Sequence, residues 1–283
     1  MSTKWQRGES SLEGIVILLV IITVIILSPK EGPTGPFSSA DSSTTLSSSE
    51  ILIGPGNASY SYQPYEEYIT LENRGQKTID LTGWQLKNGK DKRPYNIGGT
   101  LQRFSADIAV LPLLTLEAGE KAVITTGSVG VQSPYKITNF KENICTGYID
   151  ALPDYAFTPP LTRNCPRPEL EPGFSSLEVK CRNAIKRLNS CETPEFDPRN
   201  QRDREAGTCD NCLDGEILSS SCAAFIREHY SYQGCLAYHS GNQNFYGKTW
   251  RIFLGRGWEM WAEEYESIEL FDSFGRLITS RNY

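Results

Sequence analysis

The chain has 283 residues, of which 39% are hydrophobic, and its formal net charge is −6 at pH 7. This length allows one large domain or two small ones. The 16 prolines, 24 glycines and 14 tyrosines favour short strands joined by turns and therefore a mainly β protein. The acidic charge makes nucleic acid an unlikely partner, because phosphate groups require clustered Lys and Arg.

The N-terminal region contains an uncharged, strongly apolar run at residues 14–27. As a helix this run would rise about 21 Å, which is less than the ~30 Å hydrocarbon core of a bilayer. Its length is typical of a signal peptide, but no small-residue cleavage site follows at the usual distance. Lys4 and Arg7 precede the run and would stay in the cytoplasm. We therefore interpret residues 1–28 as a leader and transmembrane anchor helix, and we expect the remainder to be exported.

The residues before the apolar run resemble the leader of type IV pilin-like proteins, and most closely the archaeal class III signal. In that family a basic residue and a glycine precede a Gln-x-Ser-x-Glu block. Here Gly8 would precede the cleavage site, and Glu13 would be the fifth residue of the mature chain. Glu9 departs from the family, which has glutamine at this position. The resemblance implies processing after Gly8 and membrane retention or filament assembly, and the alternative is an uncleaved anchor.

The segment after the anchor, residues 29–50, is rich in Ser, Thr, Pro and Gly and contains one aromatic side chain. Such a composition buries too little apolar area to offset the entropy cost of ordering the chain. We therefore predict a disordered stalk that holds the following domain away from the membrane.

Beyond the stalk, short alternating apolar segments are separated by turn residues. In residues 67–72, Ile69 and Leu71 fall on one face of a strand and polar side chains fall on the other. Similar segments follow at residues 79–86, 111–116 and 122–124. Residues 268–278 have the pattern of a hairpin, in which Gly275 suits the positive-φ position of the loop.

Four of these blocks resemble the lamin tail domain family and occur in the family's order. They are Glu67–Asn73, Asp80–Leu86, Leu116–Glu120 and Glu269–Asp272. The resemblance covers about residues 51–130 and 245–283. It implies an immunoglobulin-like β-sandwich with Trp84 in its core. We expect its first part at residues 51–137 and its last strands at residues 245–283.

The intervening segment, residues 138–244, departs from the family pattern and contains all eight cysteines. They are Cys145, Cys165, Cys181, Cys191, Cys209, Cys212, Cys222 and Cys235. An even, clustered set in an exported chain indicates disulfide bonds, although the sequence leaves their pairing open. Apolar spacing predicts one helix around Leu177–Leu188, with a capping box at Ser175–Glu178, and a second around Ser219–Tyr230. We therefore expect a Cys-rich, partly helical insertion.

Cys209 and Cys212 are separated by two residues, a spacing that also occurs in zinc and dithiol redox sites. Zinc would need two further ligands, and the available spacing matches no common zinc finger. The candidates are Cys222, Cys235, His229 and His239. No thioredoxin-like βαβ pattern surrounds the pair. We therefore expect no metal and no cofactor, and we interpret the cysteines as structural.

No catalytic motif is recognisable, because the histidines match no nucleophile pattern and no glycine-rich phosphate loop is present. The acidic pairs Glu66/Glu67 and Glu263/Glu264 are interpreted as solvated faces. Asn57 begins an Asn-Ala-Ser sequon and is a candidate N-glycosylation site.

These features predict a non-enzymatic, membrane-anchored protein of the cell surface with a structural or adhesive function. Its tyrosine-rich edge would present a binding face to a surface protein or a glycan: Tyr60, Tyr62, Tyr65 and Tyr68. An alternative is an accessory module that recruits a secreted nuclease or another surface enzyme, because lamin-tail-like modules occur beside secreted nucleases. Nucleic-acid binding is a further alternative, which the acidic charge opposes.

Overall fold

The computed structural model describes residues 50–129, 137–152, 155–196 and 211–283, which belong to the compact unit Leu46–Tyr283. Gly8, Glu9, Glu13 and the apolar run at residues 14–27 lie outside the described residues, so the predicted leader and anchor stay predictions. Within the described ranges, no helix is long and apolar enough to cross a membrane.

Strands dominate the described part of the chain. They are β1 (Ile51–Gly54), β2 (Tyr68–Asn73), β3 (Ile79–Asp80), β4 (Gln85–Asn88), β5 (Pro94–Ile97), β6 (Thr100–Arg103), β7 (Ile108–Val110), β8 (Thr115–Leu116), β9 (Lys121–Thr125), β10 (Phe140–Asn143), β11 (Cys212–Leu213), β12 (Glu216–Ile217), β13 (Tyr246–Phe253), β14 (Ser267–Phe271) and β15 (Leu277–Asn282). The α-helices are α1 (Gly147–Asp150), α2 (Val179–Ile185), α3 (Ser220–His229) and α4 (Tyr232–His239), and 3-10 turns lie at Lys90–Lys92, Pro168–Leu170 and Phe174–Ser176.

Two larger sheets form a sandwich. One has the strand order β1-β2-β9-β13-β10 and the other has the order β15-β14-β4-β7. Neighbouring strands are antiparallel except for β9 and β13, which are parallel. Buried side chains from both sheets pack into one core, which includes Ile69, Ile124 and Ile252 from the first and Leu86 and Leu270 from the second. The prediction of a mainly β, immunoglobulin-like fold is confirmed.

The sequence alternation explains the burial of each strand. In β2, Ile69 and Leu71 are fully buried and the residues between them are half-buried, as predicted. Full burial of such a side chain stabilises the fold by about 1.5–3 kcal/mol. The predicted C-terminal hairpin joins β14 to β15, and Gly275 has a φ of +78° in its loop.

The Cys-rich segment is not wholly separate from the sandwich. Strand β10 lies within the predicted insertion 138–244, yet it pairs with β13 and forms the edge of the first sheet. Glu142 of β10 also binds the buried Arg251 of β13, with 2.6 Å between Oε1 and Nε. The first residues of the predicted insertion therefore complete the sandwich.

Disulfide bonds connect the rest of this segment, which confirms the prediction that such bonds are present. The pairs are Cys145–Cys235, Cys165–Cys191 and Cys181–Cys222. Cys212 is also disulfide-bonded, and Cys209 lies outside the described residues. The Cys181–Cys222 bond joins α2 to α3, each of which presents its cysteine from the buried side.

The predicted helices are present, but the capping box is wrong. Helix α2 begins at Val179, and Ser176 instead donates a hydrogen bond from Oγ to the Gly173 carbonyl in a 3-10 turn. At α3 the Ser219 hydroxyl accepts from the Cys222 N–H and caps the helix. Helix α4 was not predicted from the sequence, and its apolar residues show little helical periodicity.

Candidate functional site

Three loops meet at one end of the sandwich: residues 55–67 between β1 and β2, residues 126–129 after β9, and residues 254–266 between β13 and β14. Backbone hydrogen bonds connect them. The Gly127 N–H donates to the Pro64 carbonyl at 2.6 Å, and the Arg256 N–H donates to the Thr126 carbonyl at 2.9 Å. We call these three loops the aromatic loop end.

Large aromatic rings are exposed on this end. The exposed fractions are 63% for Tyr60, 69% for Tyr62, 41% for Tyr65 and 61% for Trp258. The structure thus places three of the four tyrosines of the predicted binding face in solvent. The fourth, Tyr68, is half-buried in β2, where burial raises the pKa of its hydroxyl. Exposed aromatic rings on fixed loops are typical of protein recognition surfaces.

Asn57 fixes the first loop. Its Nδ2 donates to the Glu66 carbonyl at 2.8 Å, and its Oδ1 accepts from the Tyr68 N–H at 2.8 Å. The residue is buried, so in the folded protein the amide that a glycan would require is occupied in the loop. Asn57 therefore has a role in loop geometry, and its glycosylation stays a prediction.

Glu67 joins the three loops from beneath. Its carboxylate accepts from the backbone N–H groups of Met260 at 2.7 Å and Trp261 at 3.1 Å, and from the Thr126 hydroxyl. The residue is fully buried, and no described cation pairs with it. Burial raises the pKa of this carboxyl above its ordinary value. The interpretation of Glu67 as part of a solvated face is therefore wrong, whereas Glu263 and Glu264 are exposed as predicted.

Glu266 fixes the far side of the third loop. Its Oε1 accepts from the N–H groups of Gly89 at 2.7 Å and Ser267 at 2.8 Å. Its Oε2 accepts from the Ala262 N–H at 3.2 Å and from the Arg93 guanidinium. Two buried carboxylates thus hold residues 254–266 against both sheets, so the aromatic loop end has a defined backbone.

Comparison with known families finds a similarity in the first part of the chain. Residues 39–150 match the lamin tail domain family. The match covers β1 to β10, and the mainly β sandwich supports the same assignment. No curated protein matches the chain. The predicted resemblance of residues 245–283 lies beyond the match, but β13 and β14 pair with β9 and β4, which lie within the matched residues.

Each histidine is the last residue of a helix, His229 in α3 and His239 in α4. His229 is buried between the rings of Phe225 and Tyr238, at centroid distances of 4.1 and 4.3 Å, and burial lowers the pKa of its imidazole. His239 Nε2 lies 2.8 Å from Glu171 Oε1. Within the described ranges, no group of His, Cys, Asp and Glu could hold a metal ion.

The cysteines proposed as zinc ligands are engaged otherwise. Cys222 and Cys235 form disulfides with Cys181 and Cys145, and Cys212 is also disulfide-bonded. A sulfur in a disulfide is not a thiolate and does not ligate zinc. These three cysteines are therefore not zinc ligands.

Proposed function

We propose that this protein is a non-enzymatic, membrane-anchored surface protein with a structural or adhesive function, which binds a surface protein or a glycan through its aromatic loop end. The observation that carries the proposal is the exposure of Tyr60, Tyr62, Tyr65 and Trp258 on loops whose backbones are fixed. Fixed loops lose little conformational entropy on binding, and aromatic rings supply large contact areas.

The direction of β1 supports this function. Glu50 lies at the start of β1, where its carbonyl accepts from the Arg74 N–H at 2.7 Å, and the aromatic loop end follows Gly54 at the other end of the strand. Glu50 and the exposed rings therefore lie at opposite ends of β1. In a surface protein, this arrangement presents the rings to other molecules.

The disulfide bonds support an extracytoplasmic location. Disulfides persist in oxidising compartments and are rare in the reducing cytosol. The apolar run at residues 14–27, preceded by Lys4 and Arg7, provides an anchor for such a location. Processing after Gly8 would leave this anchor in the mature protein.

A bead-binding experiment tests the proposed face. Fluorescent beads are coated with the purified full-length protein. The beads are then added to intact cells that display the same protein on their surface. A Tyr60→Ser/Tyr62→Ser/Tyr65→Ser variant should reduce bead binding about tenfold or more, since aromatic anchors dominate interfaces. The control is Leu113→Ser/Phe274→Ser, which removes two exposed apolar side chains near the opposite end of β14.

The control variant should bind within about twofold of the wild-type protein. Both variants are compared with it by thermal unfolding, so that a folding defect is recognised. If wild-type beads fail to bind, the adhesive function is wrong. If both variants lose binding equally, the aromatic loop end is not the binding face.

A further inference from the structure

Strands β5 and β6 form a hairpin that belongs to neither sheet of the sandwich, and we call residues 94–103 the arm. In the described part of the chain, these two strands pair only with each other. Ile97 and Leu101 of the arm are 59% and 69% exposed. A two-stranded hairpin is at best marginally stable in water, and further strands stabilise it. The arm thus has two strand edges at which its sheet can be extended.

The base of the arm is fixed to the sandwich. Lys92 precedes β5 and binds Glu269 of β14, and the adjacent Arg93 binds the buried Glu266. Both ion pairs connect the start of the arm to residues that are distant in the chain. An edge that is already held in place loses little conformational entropy when it binds a partner.

The turn determines which backbone groups point out of the hairpin. Residues 98–99, both glycines with positive φ, connect β5 to β6 as a two-residue loop. In such a hairpin the flanking residues, Ile97 and Thr100, form a hydrogen-bonded pair, and hydrogen-bonded pairs then alternate with non-hydrogen-bonded pairs. Leu101 and Arg103 occupy non-hydrogen-bonded positions, so their N–H and C=O groups point away from β5.

The two edges of the arm differ in what they offer. Pro94 and Asn96 occupy the outward positions of β5, and a proline has no N–H and hinders the addition of a strand. On β6, Leu101 and Arg103 each present an N–H and a C=O. Among the described residues, no backbone group outside the arm bonds to these four groups. The arm therefore has one edge, β6, that is suited to pairing with another strand.

The β6 edge is complementary to a second copy of itself. In an antiparallel pair with a two-fold axis at Gln102, Leu101 of each copy lies opposite Arg103 of the other, which gives four hydrogen bonds. Gln102 then faces its equivalent, and an amide group both donates and accepts. Arg103 is the sole charged residue of the arm, so this register places no like charges directly opposite each other.

We propose that the protein forms a two-fold dimer in which the β6 strands of two copies pair and join the arms into a four-stranded antiparallel sheet. The contact involves four residues of β6 in each copy and is smaller than the ~800 Å² per partner of standard interfaces. The dimer is therefore weak and depends on protein concentration. The inference goes beyond the proposed function, because it requires neither an anchor nor a ligand.

Cysteine cross-linking of the purified full-length protein tests this register. Gln102→Cys places the introduced cysteines in a non-hydrogen-bonded pair with a Cα–Cα distance of about 4.5 Å, which suits a disulfide. Thr100→Cys is the matched control, because Thr100 is exposed on the same face of β6. In the proposed register the two copies of Thr100 are about 14 Å apart. Copper phenanthroline oxidises the thiols, and a non-reducing gel separates dimer from monomer.

The Gln102→Cys variant should yield at least about fivefold more disulfide-linked dimer than Thr100→Cys, since only the first pair is within reach. Equal cross-linking of the two variants would show random collision and overturn the proposal. Absence of cross-linking in both variants would also overturn it. Thermal unfolding of both proteins, compared with the wild type, shows whether the native fold is kept.

Charge variants in the Gln102→Cys background test the same pairing independently. Leu101→Arg places like charges opposite each other at two equivalent positions, and should lower the dimer yield about fivefold. Leu101→Arg/Arg103→Glu places opposite charges there, and should restore the yield to within about twofold. A double variant that cross-links no better than Leu101→Arg contradicts the proposed register.

The dimer and the adhesive function fail separately. If beads do not bind cells but Gln102→Cys cross-links in preference to Thr100→Cys, the adhesive function is wrong and the dimer stands. If the triple tyrosine variant abolishes bead binding and neither cysteine variant cross-links, the dimer is wrong and the adhesive function stands.

Discussion

Glu67 is the residue on which the geometry of the aromatic loop end depends most directly. Its carboxylate receives hydrogen bonds from two different loops, and no described cation offsets its charge. Because burial is the largest influence on its pKa, ionisation is less favourable in the folded than in the unfolded chain. The loops are therefore held together by a group whose charge opposes folding.

Replacement of Glu67 by Gln should change how stability depends on pH. The folded-state pKa is above the unfolded value of about 4.5, so the wild-type contribution is fully present below that value. It is lost as pH rises through the folded pKa. The free energy of unfolding of the wild type, minus that of Glu67→Gln, should therefore decrease as the pH rises above the unfolded-state pKa of about 4.5.

Urea unfolding at several pH values measures this difference. Glu263→Gln is the control, because Glu263 is an exposed carboxylate on the third loop of the aromatic loop end. A flat difference for Glu67→Gln, or the same slope for both variants, would contradict the assignment of a raised pKa to Glu67.

Asn57 permits a second test at this scale, since two substitutions remove the same sequon. Asn57→Ala also removes the hydrogen bonds to Glu66 and Tyr68, and should lower the free energy of unfolding by about 1–3 kcal/mol. Ser59→Ala removes the sequon and leaves these bonds. Chemical denaturation should therefore separate the two variants, and equal losses would indicate that the side chain of Asn57 does not fix the loop.

The alternation of the sequence contains a signal for the buried carboxylates. Glu67, Ile69 and Leu71 are spaced two residues apart, and side chains with this spacing share a face of a strand. Glu266 has the same relation to Ile268 and Leu270. The acidic side chains therefore continue the inward rows, and alternation predicts their burial. The groups that satisfy them come from other loops, and one sequence does not reveal those contacts.

At the scale of elements, β10 changes the interpretation of the Cys-rich segment. The strand is short and polar, with the sequence Phe-Lys-Glu-Asn, so its apolar pattern does not mark it as part of a sheet. Its place is determined by pairing with β13 and by the bond between Glu142 and Arg251. Both depend on residues more than a hundred positions away.

Two deletions distinguish this boundary from the predicted one. Removal of residues 145–244, with an Asn-Gly turn between Ile144 and Phe245, keeps β10 and β13 as a hairpin, because the Ile144 N–H already donates to the Phe245 carbonyl. Removal of residues 138–244 also deletes β10 and leaves the buried Arg251 without Glu142. An unpaired buried charge is strongly destabilising.

The longer deletion should therefore unfold at a lower temperature than the shorter one, by several degrees. Circular dichroism measures both transitions, and the full-length protein provides the reference. Equal midpoints would show that β10 adds nothing to the sandwich, in which case the boundary predicted at residue 138 is adequate.

For the whole molecule, the prediction from sequence was strongest where local patterns and family blocks coincide. Trp84 and Leu86 lie in the core as the lamin-tail-like block implies, and the cysteines of the described ranges form disulfides. The pairing of those cysteines and the meeting of three loops were not predicted. They are set by contacts between distant segments, whereas the sequence patterns report only on neighbours in the chain.

The parallel pairing of β9 and β13 has a consequence for the order of assembly. The strand β13 lies between β9 and β10 in the first sheet, although it follows both in the chain by more than a hundred residues. Before β13 has been synthesised, the position between β9 and β10 in the sheet is empty. Non-local pairing of this kind slows folding.

The Cys145–Cys235 disulfide links the segment after β10 covalently to the segment before β13. Cys145 follows β10 by two residues, and Cys235 precedes β13 by eleven. Once the bond has formed, the late strand is tethered near the gap that it must fill, so its search becomes that of a short loop. A nascent chain that is released before Tyr246 would expose the unpaired edges of β9 and β10, a state prone to association with other chains.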